Sequence, residues 1–369
     1  MSDLRGTVRG HTGGYGQLSL LQTIGMVVKM LPLPGILVWT ILVTARSSKN
    51  KGKSLKRLIG ERAMRYAITH LSVFQLQFAF GTTAVAYSKW TKQVKLAPTV
   101  DDLGQNAKLC WVGPKRTERV LLYIPGGCFY LPLADFMLNF LRYIQLELEK
   151  KNLEVGVATL EYSLAPYSQF PTPLTQGSLA VDYLYSAGVK PDNLVIAGDS
   201  AGANLALQLL SQMLHPIANI PRIQPPTPIS GVCCISPWAS LTTESKSFAE
   251  SAGVDFMPAA ILTQYGEELL PAFGTVYAAF AEPAKAPADW FSGVESVVKN
   301  ILMTAGSKEG MRDDILQVAD VLKKHHGLVT LEVQDGGVHG DPLLDFMTKE
   351  SKLGPLTPII IDWLTLRFA

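Results

Sequence analysis

The stretch Leu194-Val195-Ile196-Ala197-Gly198-Asp199-Ser200-Ala201-Gly202 decides the reading of this 369-residue chain. Its first four residues are apolar, two of them β-branched, and read as a buried strand. The residues after Ser200 read as a helix, with Leu205, Leu209 and Met213 in one row and Ala206, Leu210 and Leu214 beside it. His215-Pro216 stops that helix. A strand that turns straight into a helix at Gly-x-Ser-x-Gly holds the serine hydroxyl above the sheet edge. The turn is tight enough to demand small flanking residues, which Gly198 and Gly202 supply. The helix N-terminus favours negative charge developing beside Ser200. The plainer alternative is a glycine-rich turn that binds phosphate at the helix N-terminus. That alternative predicts no partner histidine downstream.

A partner is present. His339 lies in Asp335-Gly336-Gly337-Val338-His339-Gly340-Asp341-Pro342, just past the last strand candidate. The other five histidines fit worse: His325 and His326 end a helix, His215 precedes a proline, and His70 and His11 lie near the N-terminus. The order nucleophile, acid, histidine places the acid between Ser200 and His339. The loop after the strand at 301–304 carries Glu309, Asp313 and Asp314. Asp313 and Asp314 suit the first turn of the next helix, where carboxylates are favoured. Glu309 is therefore the expected acid, with Asp313 in reserve. Pro125-Gly126-Gly127-Cys128 follows directly on the strand at 120–124. Glycines there let backbone N–H groups approach a substrate oxygen, so the expected oxyanion donors are Gly126, Gly127 and Ala201.

Outward from the motif, apolar runs at 120–124, 155–160, 194–197, 231–235, 301–304 and 329–333 alternate with helical patterns. Helices are expected at 133–150, 173–187, 201–214, 311–325 and 355–368. That alternation predicts an α/β fold with a mostly parallel central sheet covered by helices on both faces. Ligands then bind beyond the carboxyl ends of the strands. The expected division is a catalytic domain over 108–369 and N-terminal helices over 1–107, with an insertion at about 240–295 that lacks strand periodicity. The insertion and the N-terminal helices together would form a helical cap.

Composition narrows the classes. Hydrophobic residues make up 47% of the chain and charged residues only 17%, so disorder is excluded as the main state. A net charge of +2 gives no concentrated basic face for nucleic acid. The four cysteines, Cys110, Cys128, Cys233 and Cys234, form neither a disulfide scaffold nor a paired zinc spacing. A reducing, intracellular setting is expected. Mean hydropathy is +0.18, and part of that excess sits in residues 24–45. Met1 to Gln17 is polar, with Arg5, Arg9 and His11, unlike a secretory signal. The longest uncharged stretch, residues 30–45, is shorter than the ~20 residues of a spanning helix, and Pro32 and Pro34 shorten it further. A basic run follows at Arg46, Lys49, Lys51, Lys53, Lys56 and Arg57. The segment is read either as membrane-associated, lying on an anionic face or spanning once, or as lid helices that are apolar because they line a pocket. Residues 66–88 carry His70, Gln75, Gln77 and Gly81, which are costly in lipid, and read as a buried or lid helix.

The motifs together resemble the hormone-sensitive-lipase-like branch of the α/β-hydrolases, the fold-3 family, which includes steryl acetyl hydrolases and many fungal esterases. The resemblance runs from about Val120 to the end. It rests on Gly198-Asp199-Ser200-Ala201-Gly202-Ala203-Asn204, Glu161-Tyr162-Ser163-Leu164-Ala165-Pro166, Phe170-Pro171, Ser236-Pro237-Trp238 and Arg312-Asp313-Asp314. The family acid falls three residues before the arginine of the last motif, on Glu309, where aspartate is more usual. Pro125 stands where the family has a histidine that braces the loop, and Cys128 where it has a third glycine. The resemblance implies an α/β-hydrolase fold with a helical cap and a serine esterase acting on a bulky apolar ester, such as a sterol or secondary-metabolite acyl ester. It implies no cofactor and no metal. Two other functions fit the same motifs: release, cyclisation or acyl transfer in a biosynthetic pathway, and a non-catalytic binding module. The expected partners are a small apolar ester and a membrane surface, with no nucleic acid. The expected location is cytoplasmic, or attached peripherally or by a single span to an internal membrane.

Overall fold

The six apolar runs lie side by side in one eight-stranded sheet. In chain order its strands are β1 (Val100–Gly104), β2 (Ala107–Trp111), β3 (Val120–Ile124), β4 (Gly156–Glu161), β5 (Leu194–Asp199), β6 (Gly231–Ile235), β7 (Ile301–Gly306) and β8 (Val329–Gln334). Their spatial order is β1-β2-β4-β3-β5-β6-β7-β8. From β4 to β8 neighbours pair in parallel, and β1 with β2 and β2 with β4 are antiparallel. Every residue of β3, β5, β6 and β7 is buried. Continuous apolar strands follow from helices covering both faces. This computed structural model describes residues 14–43 and 53–369. Arg5, Arg9 and His11, the end of the 24–45 segment, and Arg46, Lys49 and Lys51 lie outside the described residues.

The helices are α1 (Leu20–Met30), α2 (Leu33–Leu42), α3 (Leu55–His70), α4 (Val73–Phe80), α5 (Thr83–Gln93), α6 (Asp135–Lys150), α7 (Thr172–Ser186), α8 (Ser200–Leu214), α9 (Lys246–Glu250), α10 (Ala259–Phe273), α11 (Ala278–Ala281), α12 (Arg312–His325), α13 (Asp341–Met347) and α14 (Leu356–Phe368). Alternate strand residues feed two cores, as the two-residue period requires. Leu122, Ile196 and Val232 pack with α7, α8 and α12, while Leu121, Val195 and Cys233 pack with α6 and α14. All four cysteines are free and buried.

Two expectations need correction. The sheet starts at Val100, so a boundary at 107/108 runs through the β1–β2 hairpin. β1 carries no apolar run because it is an edge strand whose residues alternate between exposed and half-buried. Its Asp101 accepts the Trp111 indole N–H at 2.7 Å, an anchor no apolar pattern encodes. Residues 66–88 are not one helix. They end α3, form all of α4 and begin α5. Gln77 of α4 is fully buried, and its amide donates to the carbonyls of Tyr130 and Ala165 at 3.0 and 2.9 Å. The amide nitrogen is thus satisfied inside the protein, while Oε1 accepts no hydrogen bond among the described residues.

No strand forms between the end of β6 and the start of β7; α9, α10 and α11 occupy that span. Arg57 on α3 pairs with Glu61 on the same helix and with Asp341 and Asp345 on α13. The N-terminal helices are thereby fixed to the segment that follows His339.

Candidate active site

The turn from β5 into α8 places Ser200 at the carboxyl edge of the sheet. Ser200 has φ of 51°, a left-handed conformation that a serine holds only where its surroundings enforce it. The enforcement is steric. A Cβ on Gly202 would collide with the carbonyl of Ile124, and one on Gly198 with the backbone of Gly202. The Ser200 carbonyl accepts the Trp238 N–H at 3.0 Å, tying the elbow to the segment after β6.

His339 and Glu309 approach from the loops after β8 and β7. The imidazole Nδ1 lies 2.6 Å from Glu309 Oε1, with both side chains buried. Glu309 Oε2 accepts the Gly306 N–H at 2.9 Å and the Ser236 hydroxyl at 3.0 Å. Ser236 also accepts the Gly340 N–H at 3.0 Å, so one hydroxyl joins the acid loop to the histidine loop. Its signal in the sequence is its place at the end of β6, next to the elbow strand, although its two partners are far away in sequence. Asp313 is elsewhere. It sits in the first turn of α12, pairs with Arg312 and accepts the Ser247 N–H. Burial pulls the His339 pKa down, but the hydrogen bond and charge of Glu309, with Asp255 and Asp199 behind it, outweigh burial and raise it.

The oxyanion loop departs from expectation at one residue. The Gly126 N–H donates to Asp199 Oδ1 at 2.8 Å, and the Tyr123 hydroxyl donates to the same oxygen. Gly126 therefore braces the loop and is not a free donor. A side chain there would strike the Asp199 carboxylate, which accounts for the glycine. Burial raises the Asp199 pKa, against the lowering effect of those two donors and of His339. Among the described residues, no hydrogen bond within the chain claims the N–H of Gly127, Cys128 or Ala201. The free Cys128 N–H is a third candidate donor that a motif marked by glycines does not single out. The Pro125 carbonyl accepts the Tyr162 hydroxyl at 2.9 Å, so Tyr162 and Asp199 both brace this loop.

Ser200, His339, Gly126, Gly127 and Cys128 border one cavity. Asp199 also borders it, and the rest of its wall is mostly apolar. Met64, Ile68, Leu76 and Phe80 come from α3 and α4, and Phe256, Met257 and Tyr265 from the insertion after β6. The cavity holds about 100 Å³ of free volume. One water needs on the order of 10–15 Å³ by such a measure, so a group of a handful of heavy atoms fits. Among the described residues no cluster of three or more His, Cys, Asp or Glu could hold a metal ion. The arrangement can activate a hydroxyl, stabilise a developing anion and exclude water from an apolar ligand.

Known proteins share these features. A family model described as alpha/beta hydrolase fold matches residues 121–342. An acetyl-hydrolase from Streptomyces hygroscopicus is 30% identical over 224 residues, which covers 60% of this chain and 68% of that protein. An esterase from Acinetobacter venetianus is 31% identical over 129 residues, covering 35% of this chain and 38% of the other. Among solved structures, an esterase of the bacterial hormone-sensitive lipase family superposes with a TM-score of 0.63 at 20% identity, over 86% of this chain and 100% of that one.

Proposed function

The chain belongs to the α/β-hydrolase fold family, in its hormone-sensitive-lipase-like branch, and as such is an esterase-type hydrolase; from that premise we propose that it hydrolyses an ester with a short acyl group and an apolar alcohol, using Ser200, His339 and Glu309. The observation that carries this reading is the 2.6 Å bond from His339 to Glu309 on the cavity that Ser200 also borders. His339 takes the Ser200 proton as Oγ bonds to the ester carbonyl carbon, and the carbonyl π pair moves onto oxygen. The N–H groups of Gly127 and Ala201, with that of Cys128 beside them, receive the oxyanion. The imidazolium then protonates the leaving alkoxide as the ester C–O bond breaks. Water, deprotonated by His339, cleaves the acyl-enzyme and regenerates Ser200. Glu309 holds the Nδ1–H tautomer throughout and offsets the imidazolium charge.

The small free volume supports a short acyl group, and the apolar walls from the cap support an apolar alcohol. A sterol or secondary-metabolite alcohol fits that description. The test is a series of p-nitrophenyl esters of increasing acyl length with wild type and Ser200→Ala. Acetate should be the best substrate, and Ser200→Ala should cost ~10³-fold or more in kcat/KM. Full activity in Ser200→Ala would overturn the mechanism, and a preference for long acyl chains would overturn the substrate assignment.

A second feature bears on where the ester is met. The stretch Leu20–Leu42 is long and apolar enough to cross a membrane, yet it breaks at Leu31 and Pro32 into α1 and α2. α1 is held to the cap: the Tyr66 hydroxyl donates to the Lys29 carbonyl at 2.8 Å and the Gln75 amide to the Gln22 carbonyl at 3.0 Å. Its outer face stays exposed, with Leu21 80% and Leu31 69% accessible. These observations support a pair of helices lying in a membrane surface rather than a span. Release of the full chain from membranes by alkaline carbonate is the expected result; retention would favour a span.

A further inference from the structure

We propose that Asp255 is a positioning residue for His339, a second carboxylate that sets both the place and the proton affinity of the imidazole; this rests on the serine-hydrolase reading of the site. Asp255 lies in the insertion between α9 and α10, a region without motif or period. It is nonetheless 3% exposed, and an aspartate is almost never so deeply buried without specific partners. Besides the nearby Met257 N–H, its partners are backbone groups of the two catalytic loops. Oδ2 accepts the N–H of Gly310, the residue after Glu309, at 2.9 Å. Oδ1 accepts the N–H of His339 itself at 3.3 Å. One carboxylate therefore grips the chain beside both the acid and the base. Hydrogen bonds to an ionised acceptor are among the stronger ones, and here they act where a small shift would misalign the relay.

The same residue reaches into the cap. Its carbonyl accepts the Arg65 guanidinium of α3. The next side chain, Phe256, lies against the His339 ring with centroids 6.0 Å apart and lines the cavity, as does Met257. Asp255 is thus the joint at which both parts of the cap meet the histidine loop. Its charge acts on the imidazole as well. Burial pushes the Asp255 pKa up to about 6, His339 opposes that rise and Glu309 adds to it. In turn the Asp255 charge favours the imidazolium, the form that His339 takes as Ser200 attacks. The charged and titratable groups around the pair are Glu309 on the β7 loop, Asp199 at the elbow and Arg65 on α3.

The experiment compares wild type with Asp255→Asn and Asp255→Ser on p-nitrophenyl acetate across pH, after circular dichroism has confirmed folding. The catalytic base is the neutral imidazole, so activity is lost as pH falls through the His339 pKa. Removing a nearby negative charge lowers that pKa, so the acidic limb of kcat/KM should move to lower pH. At the plateau kcat should fall ~10-fold or more with KM little changed, because the loss concerns alignment rather than binding. Two neutral replacements keep the test available if one fails to fold, and Asp255→Glu, which retains the charge, should leave the limb near its wild-type position. An unmoved limb in a folded neutral variant would overturn the proposal. Fluorophosphonate labelling of Ser200 in wild type is measured first. Its failure would count against the serine-hydrolase reading itself, and the two failures are therefore distinguishable.

Discussion

Glu309 and Asp313 stand four positions apart, Glu309 on the loop after β7 and Asp313 in the first turn of α12, and their hydrogen bonds divide their roles. Glu309 spends both oxygens on the relay, one on His339 and the other on Gly306 and Ser236. Asp313 spends its oxygens on Arg312 and the Ser247 N–H. In Glu309→Gln the amide nitrogen can only donate, which opposes the Nδ1–H tautomer; the expected loss in kcat is ~10⁴-fold. Asp313→Asn should leave kcat within ~3-fold, since its side chain touches no group of the relay. Steady-state kinetics on the two variants settles the acid. Losing the Glu309 charge also removes the largest influence raising the His339 pKa, so residual activity should extend to lower pH than in wild type. The meeting of Ser200, His339 and Glu309 at one cavity edge was legible because their order is written in short motifs. Gly126 was misread because the same motif does not say whether its N–H faces the ligand or Asp199. Asp255 was not legible at all: its partners on the catalytic loops, Gly310 and His339, lie more than fifty residues away, and no local sequence pattern marks it.

At the scale of elements, the parallel strands were readable because burial on both faces leaves them uniformly apolar. The β1–β2 hairpin was not, because β1 is half-solvated and its stability comes from pairing and from Asp101. The docking of α3 was equally hidden. Arg57 ends the basic run and reads there as part of a solvated or membrane-facing charge cluster. In the fold it is buried, 2.6 Å from Glu61, 2.9 Å from Asp341 and 2.7 Å from Asp345. Glu61 also pairs with Lys53 at 2.7 Å, but Asp341 and Asp345 depend on this guanidinium. Arg57→Leu leaves those two buried carboxylates without their cation, and the expected destabilisation is about 3–5 kcal/mol. Asp341 also accepts the Val338 N–H at 3.0 Å, so the damage should reach the His339 loop. Urea unfolding of the two proteins checks the first expectation, and p-nitrophenyl acetate turnover well below the unfolding midpoint checks the second. A variant as stable as wild type would show that α3 is held by packing alone.

The whole molecule divides its apolar excess between an interior and a surface. Much of it fills the two cores, and another share lines the cavity under the cap. A further share is displayed along α1, α2 and the turn between them, where Leu20, Leu21, Leu31 and Trp39 are each more than half exposed. That patch sits beside the cap, since α1 is hydrogen-bonded to Tyr66 on α3 and Gln75 on α4, the two helices that help wall the cavity. Burying one leucine in an apolar phase is worth ~1.5–3 kcal/mol, and each nearby lysine or arginine adds ~1 kcal/mol on an anionic surface. Leu21→Glu combined with Trp39→Glu removes two large apolar contacts and adds two repelled charges. The fraction that cosediments with vesicles of mixed neutral and anionic phospholipid should fall ~10-fold or more. Turnover of water-soluble p-nitrophenyl acetate should stay within ~2-fold, because neither side chain lines the cavity. Turnover of an acetyl ester embedded in the same vesicles should fall with binding. Equal loss on both substrates would mean that the helices support the cap and not a lipid contact.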